Sequence, residues 1–456
     1  MKVVKVGLMK EFYRDFMEHR LQGWNPPLIS IITGQFGDIP SEKLFKAMSE
    51  IGYTGLELAC GACADENDPL QCHFDVQLAL KDEGYCAAKR AQLEKYGLDC
   101  YAVSNHCVGQ GVLDQIDSRN LTVIPPRLHG DGSPETVWKN CAQEMKDTAW
   151  AAAKFGAKVV TGFTGSPIWP YLYSFPPVPQ SWIDDGFKLL AERWIPILDE
   201  YQKAGVKFAL EVHPTEIAFD IHSARMALEA VDYHPAFGFN FDPSHLVWQS
   251  VDPIEFINEF SERIYHTHMK DVVLKTASGR NGILGGHLPF AARGRGWDFV
   301  SVGRGDVDFY GIRRALEEAK TVWFKDVYAA FANVGKDAQG YDAVRAALEK
   351  TADFHWEKGY RNIADTRENA PAPTFWEGVQ KAIADHEANP GCAKARAVVS
   401  DALFSLKHSF ELPLSVEWED STMFRMVGAA ESFAFIEALV APPSDVDFDG
   451  QFGKDA

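Results

Sequence analysis

No run of Lys or Arg interrupts this chain, whose 45 basic and 64 acidic residues leave a formal charge of −19. A protein that grips duplex nucleic acid needs a basic footprint to release counterions from phosphate, so that class of partner is disfavoured. No stretch approaches the roughly 18–20 consecutive apolar residues of a membrane span. Residues 1–18 mix Lys, Glu, Arg and Asp without the apolar core of a secretory leader, so the expectation is a cytoplasmic protein without a membrane partner. Cysteine is sparse, eight residues at irregular spacing, which fits reduced thiols. Cys60 and Cys63 form a CxxC, but no second pair stands at zinc-site spacing, so core or loop thiols are expected there. No Gly-rich phosphate loop of recognised spacing, internal repeat or low-complexity tract occurs.

What is present is ordinary globular composition, 46% hydrophobic and 24% charged. Thirty Phe, 14 Tyr and 12 Trp supply core bulk and rings that also suit carbohydrate walls. The carboxylate excess serves solubility and is also compatible with a cation site. A length of 456 residues is within reach of a single barrel with insertions.

Short β-branched or apolar runs alternate with amphipathic stretches. The strand candidates are 28–33 (LISIIT), 55–59 (GLELA), 99–104 (DCYAVS), 158–162 (KVVTG), 207–212 (KFALEV), 237–242 (FGFNFD), 263–268 (RIYHTH) and 413–417 (PLSVE). Helical patterns such as 41–51, 136–155, 183–204 and 254–262 fall between them. Eight strand–helix units predict an α/β fold, a (β/α)8 TIM barrel.

Two segments break the rhythm. Residues 271–309, after the seventh strand, are rich in Gly and Arg and predict a long lid loop on the face where active sites gather. Arg293, Arg295 and Arg304 there could meet a phosphate or carboxylate, with solvated arginines as the plainer reading. Residues 320–409 have a helical pattern broken by Pro371, Pro373 and Pro390 and predict an insertion before the eighth strand. The expected organisation is thus 1–319 for strands one to seven and the lid, 320–409 for the insertion, and 410–456 for strand eight, a C-terminal helix and tail.

Chemistry collects at four strand ends. Strand five ends in Glu211 followed by His213, and strand six runs into Asp242-Pro-Ser-His245. A carboxylate at the tip of a buried strand costs several kcal/mol unless it meets a cation, either a metal or a basic side chain. On strand seven His266, His268 and Lys270 share one face by period two, and on strand eight Glu417 and Glu419 do the same. Three carboxylates and one imidazole are a hard donor set suited to Mn2+ first, with Mg2+, Co2+ or Zn2+ also accommodated. Of each period-two pair, either member could reach the centre. His106 and Trp169 follow strands three and four and could line the same pocket.

The stretches LEVHPTEIAFD, FNFDPSHLVW, HTHMKDV and LSVEWEDS, with SNHCVGQGV and GFTGSPIW in support, resemble the xylose isomerase-like barrel superfamily, in particular its sugar phosphate isomerase/epimerase group. The likeness covers about 28–318 and 411–440, and the helical insertion departs from it. It implies Glu211, Asp242, His268 and Glu417 as ligands of one divalent ion, Glu211 and Glu417 as catalytic acid and base, and His245 and Lys270 as substrate contacts. His213, His106 and Trp169 are further substrate-contact candidates. The implied activity is isomerisation or epimerisation of a ketose-type sugar by proton abstraction to an enediolate on the metal. The alternatives are β-elimination from a keto-sugar or 3-keto-glycoside, and a non-catalytic sugar-binding barrel. An endonuclease would require a multi-metal cluster and a basic groove, which the charge opposes. The partner is a small carbohydrate, and a homo-oligomer stays open.

Overall fold

The computed structural model describes residues 28–440 apart from 66–67, 276–279, 285, 356–371 and 410–411. Residues 1–18, read above for a leader, lie outside the described residues, as do the middle of the insertion and the tail after Val440.

The strands among the described residues are β1 (Ile29–Ile32), β2 (Gly55–Ala59), β3 (Asp99–Ser104), β4 (Val159–Gly162), β5 (Lys207–Glu211), β6 (Phe237–Phe241), β7 (Ile264–Met269), β8 (Asp271–Leu274), β9 (Trp297–Val300) and β10 (Leu414–Val416). β1 to β7 and β10 close into one barrel, ordered β1-β10-β7-β6-β5-β4-β3-β2, with every neighbouring pair parallel. Strands enclosed between a filled bore and a helical layer are buried on both faces, hence their near-continuous apolar sequences. β2, β5, β6 and β7 are buried along their whole lengths.

The longer helices are α1 (Ser41–Ile51), α2 (Glu83–Glu94), α3 (Pro134–Phe155), α4 (Gln180–Ala204), α5 (Ile221–Ala230), α6 (Pro253–Phe260), α7 (Phe309–Trp323), α8 (Lys325–Ala332), α9 (Tyr341–His355), α10 (Ala372–Ala388), α11 (Ala393–Ser409) and α12 (Arg425–Leu439). Their faces follow from helical periodicity: α1 buries Ser41, Leu44, Phe45 and Met48, one stripe spaced by three and four. α3 starts where the Ser133 side chain accepts from the Thr136 amide and Pro134 needs no amide partner, and it stops at Gly156, whose φ of 100° lies in the left-handed region. No helix among the described residues is long and apolar enough to cross a membrane.

The segment after β7 holds more order than a lid loop: β8 and β9 pair antiparallel, Asp271 opposite Val300 through Leu274 opposite Trp297. Indole stacking holds this hairpin down, with the Trp248 and Trp297 rings 4.6 Å apart and 11° from parallel. Arg295 is buried beside the Phe290 and Trp297 rings rather than solvated, whereas Arg304 is exposed, in a surface pair with Glu431. α7 runs to Trp323, so the boundary expected at Lys320 falls inside that helix. The cysteine expectation is also corrected. Cys63 and Cys72 are joined by a disulfide, because the chain turns back between them and sets their backbones side by side as an isolated antiparallel bridge. Neither spacing nor the CxxC motif marks that pairing. The other six thiols are free.

Close strand approach makes one glycine obligatory. A Cβ on Gly238 in β6 would lie 2.3 Å from the Tyr265 ring and 2.4 Å from the Arg263 carbonyl oxygen. Gly238→Ala should therefore destabilise the fold by about 1–3 kcal/mol, the usual cost of overpacking. The check is the urea midpoint, which an unstrained site would leave unchanged.

Candidate metal centre

β5, β6, β7 and β10 deliver their C-terminal ends to one point. Glu211 is the last residue of β5, Asp242 follows β6, His268 is the penultimate residue of β7, and Glu417 follows β10. One ligand atom from each of the four lies within 4.8 Å of the others, and all four residues are buried.

Local chemistry orients each donor. Asp242 caps the short helix Pro243–Val247: its Oδ1 accepts from the Ser244 amide at 2.8 Å and the Ser244 hydroxyl at 2.7 Å. That clamp leaves Oδ2 facing the cluster. His268 is fixed from behind by Glu57, whose Oε2 and Oε1 lie 2.9 and 3.2 Å from Nε2. With Nε2 tied to Glu57, Nδ1 faces Glu417 Oε2 at 2.8 Å and Glu211 Oε2 at 3.2 Å. A carboxylate behind an imidazole is the usual outer support of a metal-ligating histidine.

Glu57, on β2, is the residue that sequence reasoning missed. It also accepts from Ser415 Oγ at 3.0 Å and Thr161 Oγ1 at 2.5 Å, and it meets His266 Nε2 at 2.8 Å. A lone acid inside the apolar strand GLELA was the available signal. His266 therefore shares the inward face of β7 as expected, but it is engaged by Glu57 rather than the four-residue cluster. Glu419 likewise turns aside, to Lys270 Nζ at 2.8 Å.

Three other candidates join the cluster. His245 Nε2 lies 3.2 Å from Glu211 Oε1 and 3.3 Å from Asp242 Oδ2, and His106 Nε2 lies 3.1 Å from Glu211 Oε2. Lys270 Nζ is 3.3 Å from both Glu417 Oε2 and His245 Nε2, and it sits 4.2 Å from the Phe299 ring centre on β9. The His213 ring lies 4.0 Å from that of His245 and lines the cavity above the cluster. Trp169 is not brought into that cavity wall; it packs edge-on against Phe219.

Burial raises the carboxyls of Glu211 and Glu417, yet both are held below the ordinary range. The neighbouring imidazoles of His106, His245 and His268 do this for Glu211, and the charges of Lys270 and His268 for Glu417. Asp242 goes the other way, because burial outweighs His245 and Lys270. Burial depresses His268, and the carboxylates of Glu57, Glu417 and Glu211 overcome it and hold it well above the ordinary imidazole range.

The donors fit a divalent ion on a separate ground. Asp242 Oδ2, His268 Nδ1 and Glu417 Oε2 are buried without a hydrogen bond of acceptable geometry, although they lie side by side. Buried polar atoms are rarely left in that state unless they serve a ligand. A cavity of about 730 Å3 opens above them, its wall including Gln35, His106, Phe163, Glu211, His213, Lys270 and Glu417.

The fold and this centre define a class, a (β/α)8 barrel with an oxygen-rich candidate cation site at the C-terminal ends of its strands. The family model described as the xylose isomerase-like TIM barrel matches residues 45–327, and the chain belongs to that family. A Bacillus subtilis (strain 168) relative, "Uncharacterized protein YfiH", is 24% identical over 291 residues, 61% of this chain and 83% of its own. Inosose dehydratase from Lacticaseibacillus casei is 35% identical over 79 residues, 17% of this chain and 26% of that enzyme. A solved xylose isomerase-like TIM barrel protein from Mycobacterium smegmatis, in complex with magnesium, aligns over 92% of this chain and 98% of its own, with a TM-score of 0.46 and 13% identity.

Removing the support behind His268 should loosen the site without unfolding the barrel. Glu57→Gln is expected to weaken Mn2+ binding by about 10–100-fold, the usual effect of losing such a partner. Calorimetric titration, with far-UV circular dichroism to confirm the fold, checks this; unchanged affinity would remove Glu57 from the account.

Proposed function

We propose that the chain is a divalent-metal-dependent sugar isomerase or epimerase acting on a ketose-type sugar by proton transfer. The observation that carries this is the convergence of Glu211, Asp242, His268 and Glu417 on one point beneath an open cavity. These four would hold the ion, with Mn2+ the best match to three carboxylates and an imidazole and Mg2+, Co2+ or Zn2+ also compatible. The ion would polarise the adjacent carbonyl and hydroxyl of the sugar and acidify the C–H between them.

The chain's own groups do the rest. Glu211 and Glu417 come from strand ends across the cluster, so their carboxylates can address a substrate from two sides. In this reading a carboxylate oxygen of Glu211 takes the proton and Glu417 returns one. Lys270 Nζ and His245 Nε2, 3.3 Å apart, meet the charge that develops on the sugar oxygen. His106 holds Glu211 in place while its ring, with His213, lines the substrate cavity. Reprotonation at the same carbon gives an epimer, and at the neighbouring carbon an isomer.

The stretch shared with inosose dehydratase supports a second outcome of the same chemistry. A leaving group β to the carbanion would be expelled, making the enzyme a lyase on a keto-sugar.

Incubating the Mn2+-loaded protein with a panel of ketoses in deuterium oxide tests the proposal. Deuterium at the rearranged carbon is expected, and an unsaturated product would identify the lyase. Turnover without solvent exchange would contradict proton transfer by Glu211 and Glu417. Glu211→Gln should lower the exchange rate by at least about 100-fold, as general base catalysis of this kind contributes. An active, folded Glu211→Gln variant would refute the role of that residue.

A further inference from the structure

The cavity above the cluster does not end at one sugar ring. At about 730 Å3 it lies in the upper part of the ~300–1,000 Å3 range of sites that enclose extended ligands. It runs from Glu211 and Glu417 past Cys107 to a far wall made by residues 60–63, 72–76 and 122–127. We infer that this far compartment binds a second, neutral sugar ring, so that the substrate is a glycoside or disaccharide rather than a free monosaccharide. The inference rests on the ketose reading of the metal centre.

Two observations support it. The far wall is amphipathic and built, as a sugar ring requires. Val123, Pro125 and Pro126 give an apolar side backed by the buried Ile124 and Phe74, with the Val123 side chain exposed to the space. Arg127 gives a hydrogen-bonding side, and its position is fixed: it pairs with the buried carboxylate of Glu144, NH1 to Oε2 at 2.9 Å, and Gln77 Nε2 donates to the same oxygen at 2.7 Å. The Cys63–Cys72 disulfide and the bond between His129 Nε2 and the Ile124 carbonyl brace the two segments that face each other.

The second observation is the charge. Asp75, Glu144, Glu211, Glu417 and Glu419 line the cavity against Lys270 and Arg127. Both cations are already matched, Arg127 by Glu144 and Lys270 by Glu417 and Glu419. A divalent ion would not reverse that excess of carboxylates, so a phosphate or carboxylate on the distal part of the ligand meets repulsion. An arginine whose charge is cancelled still offers N–H groups to hydroxyls. Neutral hydroxyls on a ring with an apolar face satisfy both sides of the compartment.

The test compares three unreactive polyols on the Mn2+-loaded protein by calorimetry: sorbitol, an open-chain stand-in for the reacting sugar, maltitol, which is sorbitol carrying one glucopyranosyl ring, and sorbitol 6-phosphate. Maltitol should bind at least about ten-fold more tightly than sorbitol, and the phosphate should gain nothing. In Val123→Trp, which fills the far compartment from an exposed position, that advantage should shrink to less than about three-fold. Equal affinity for sorbitol and maltitol would overturn the second-ring site and leave the ketose reading standing. Tighter binding of the phosphate, or an advantage that survives Val123→Trp, would also overturn it. If no polyol binds and no ketose exchanges with solvent, both readings fall.

Discussion

Three carboxylates, Glu211, Asp242 and Glu417, are buried against one another at the strand ends with His268 among them and His106 and His245 beside them. Charge of one sign in a low-dielectric interior is tolerated only with a counter-charge at contact distance. Lys270 supplies part of it but is shared among Asp242, Glu417 and Glu419. What remains is three buried atoms side by side without a hydrogen bond, His268 Nδ1, Asp242 Oδ2 and Glu417 Oε2. A divalent ion would match that donor set.

Each donor is held by a device of its own. Asp242 spends one oxygen on capping a helix and keeps the other for the cluster. Glu57 reaches from the opposite side of the barrel bore, behind His268, and ties β2 to β4, β7 and β10 through Thr161, His266, His268 and Ser415. The hairpin β8–β9 lays Phe299 beneath Lys270, so an insertion outside the barrel contributes to the environment of a buried cation at the cluster. Rigidity of this kind sets the geometry of these oxygens before any ligand arrives.

Much of this was legible from the residues. Eight apolar runs separated by helical patterns defined the barrel, because parallel strands buried on both faces carry that signature. Glu211 and Asp242 stood out because each ends such a run. Other features depended on relations across the fold. Period two could not separate His266 from His268; resemblance to the family supplied that choice, and the contact of His268 Nδ1 with Glu417 gives it a physical reason. Glu57 itself looked like an isolated acid in GLELA, since its four partners come from distant segments. The pairing of β8 with β9, the Cys63–Cys72 bond and the turn of Trp169 toward Phe219 are set by loop paths that local sequence does not encode. Resemblance to the family supplied the choice of Glu417 over Glu419, and the contact of Glu419 with Lys270 gives it a physical reason.

The most direct test is a crystal grown with Mn2+ and measured for anomalous scattering. The account predicts one strong peak per chain, within bonding distance of Glu211, Asp242, His268 Nδ1 and Glu417. A peak seated instead between Glu57 and His266, or none at any occupancy, would contradict it.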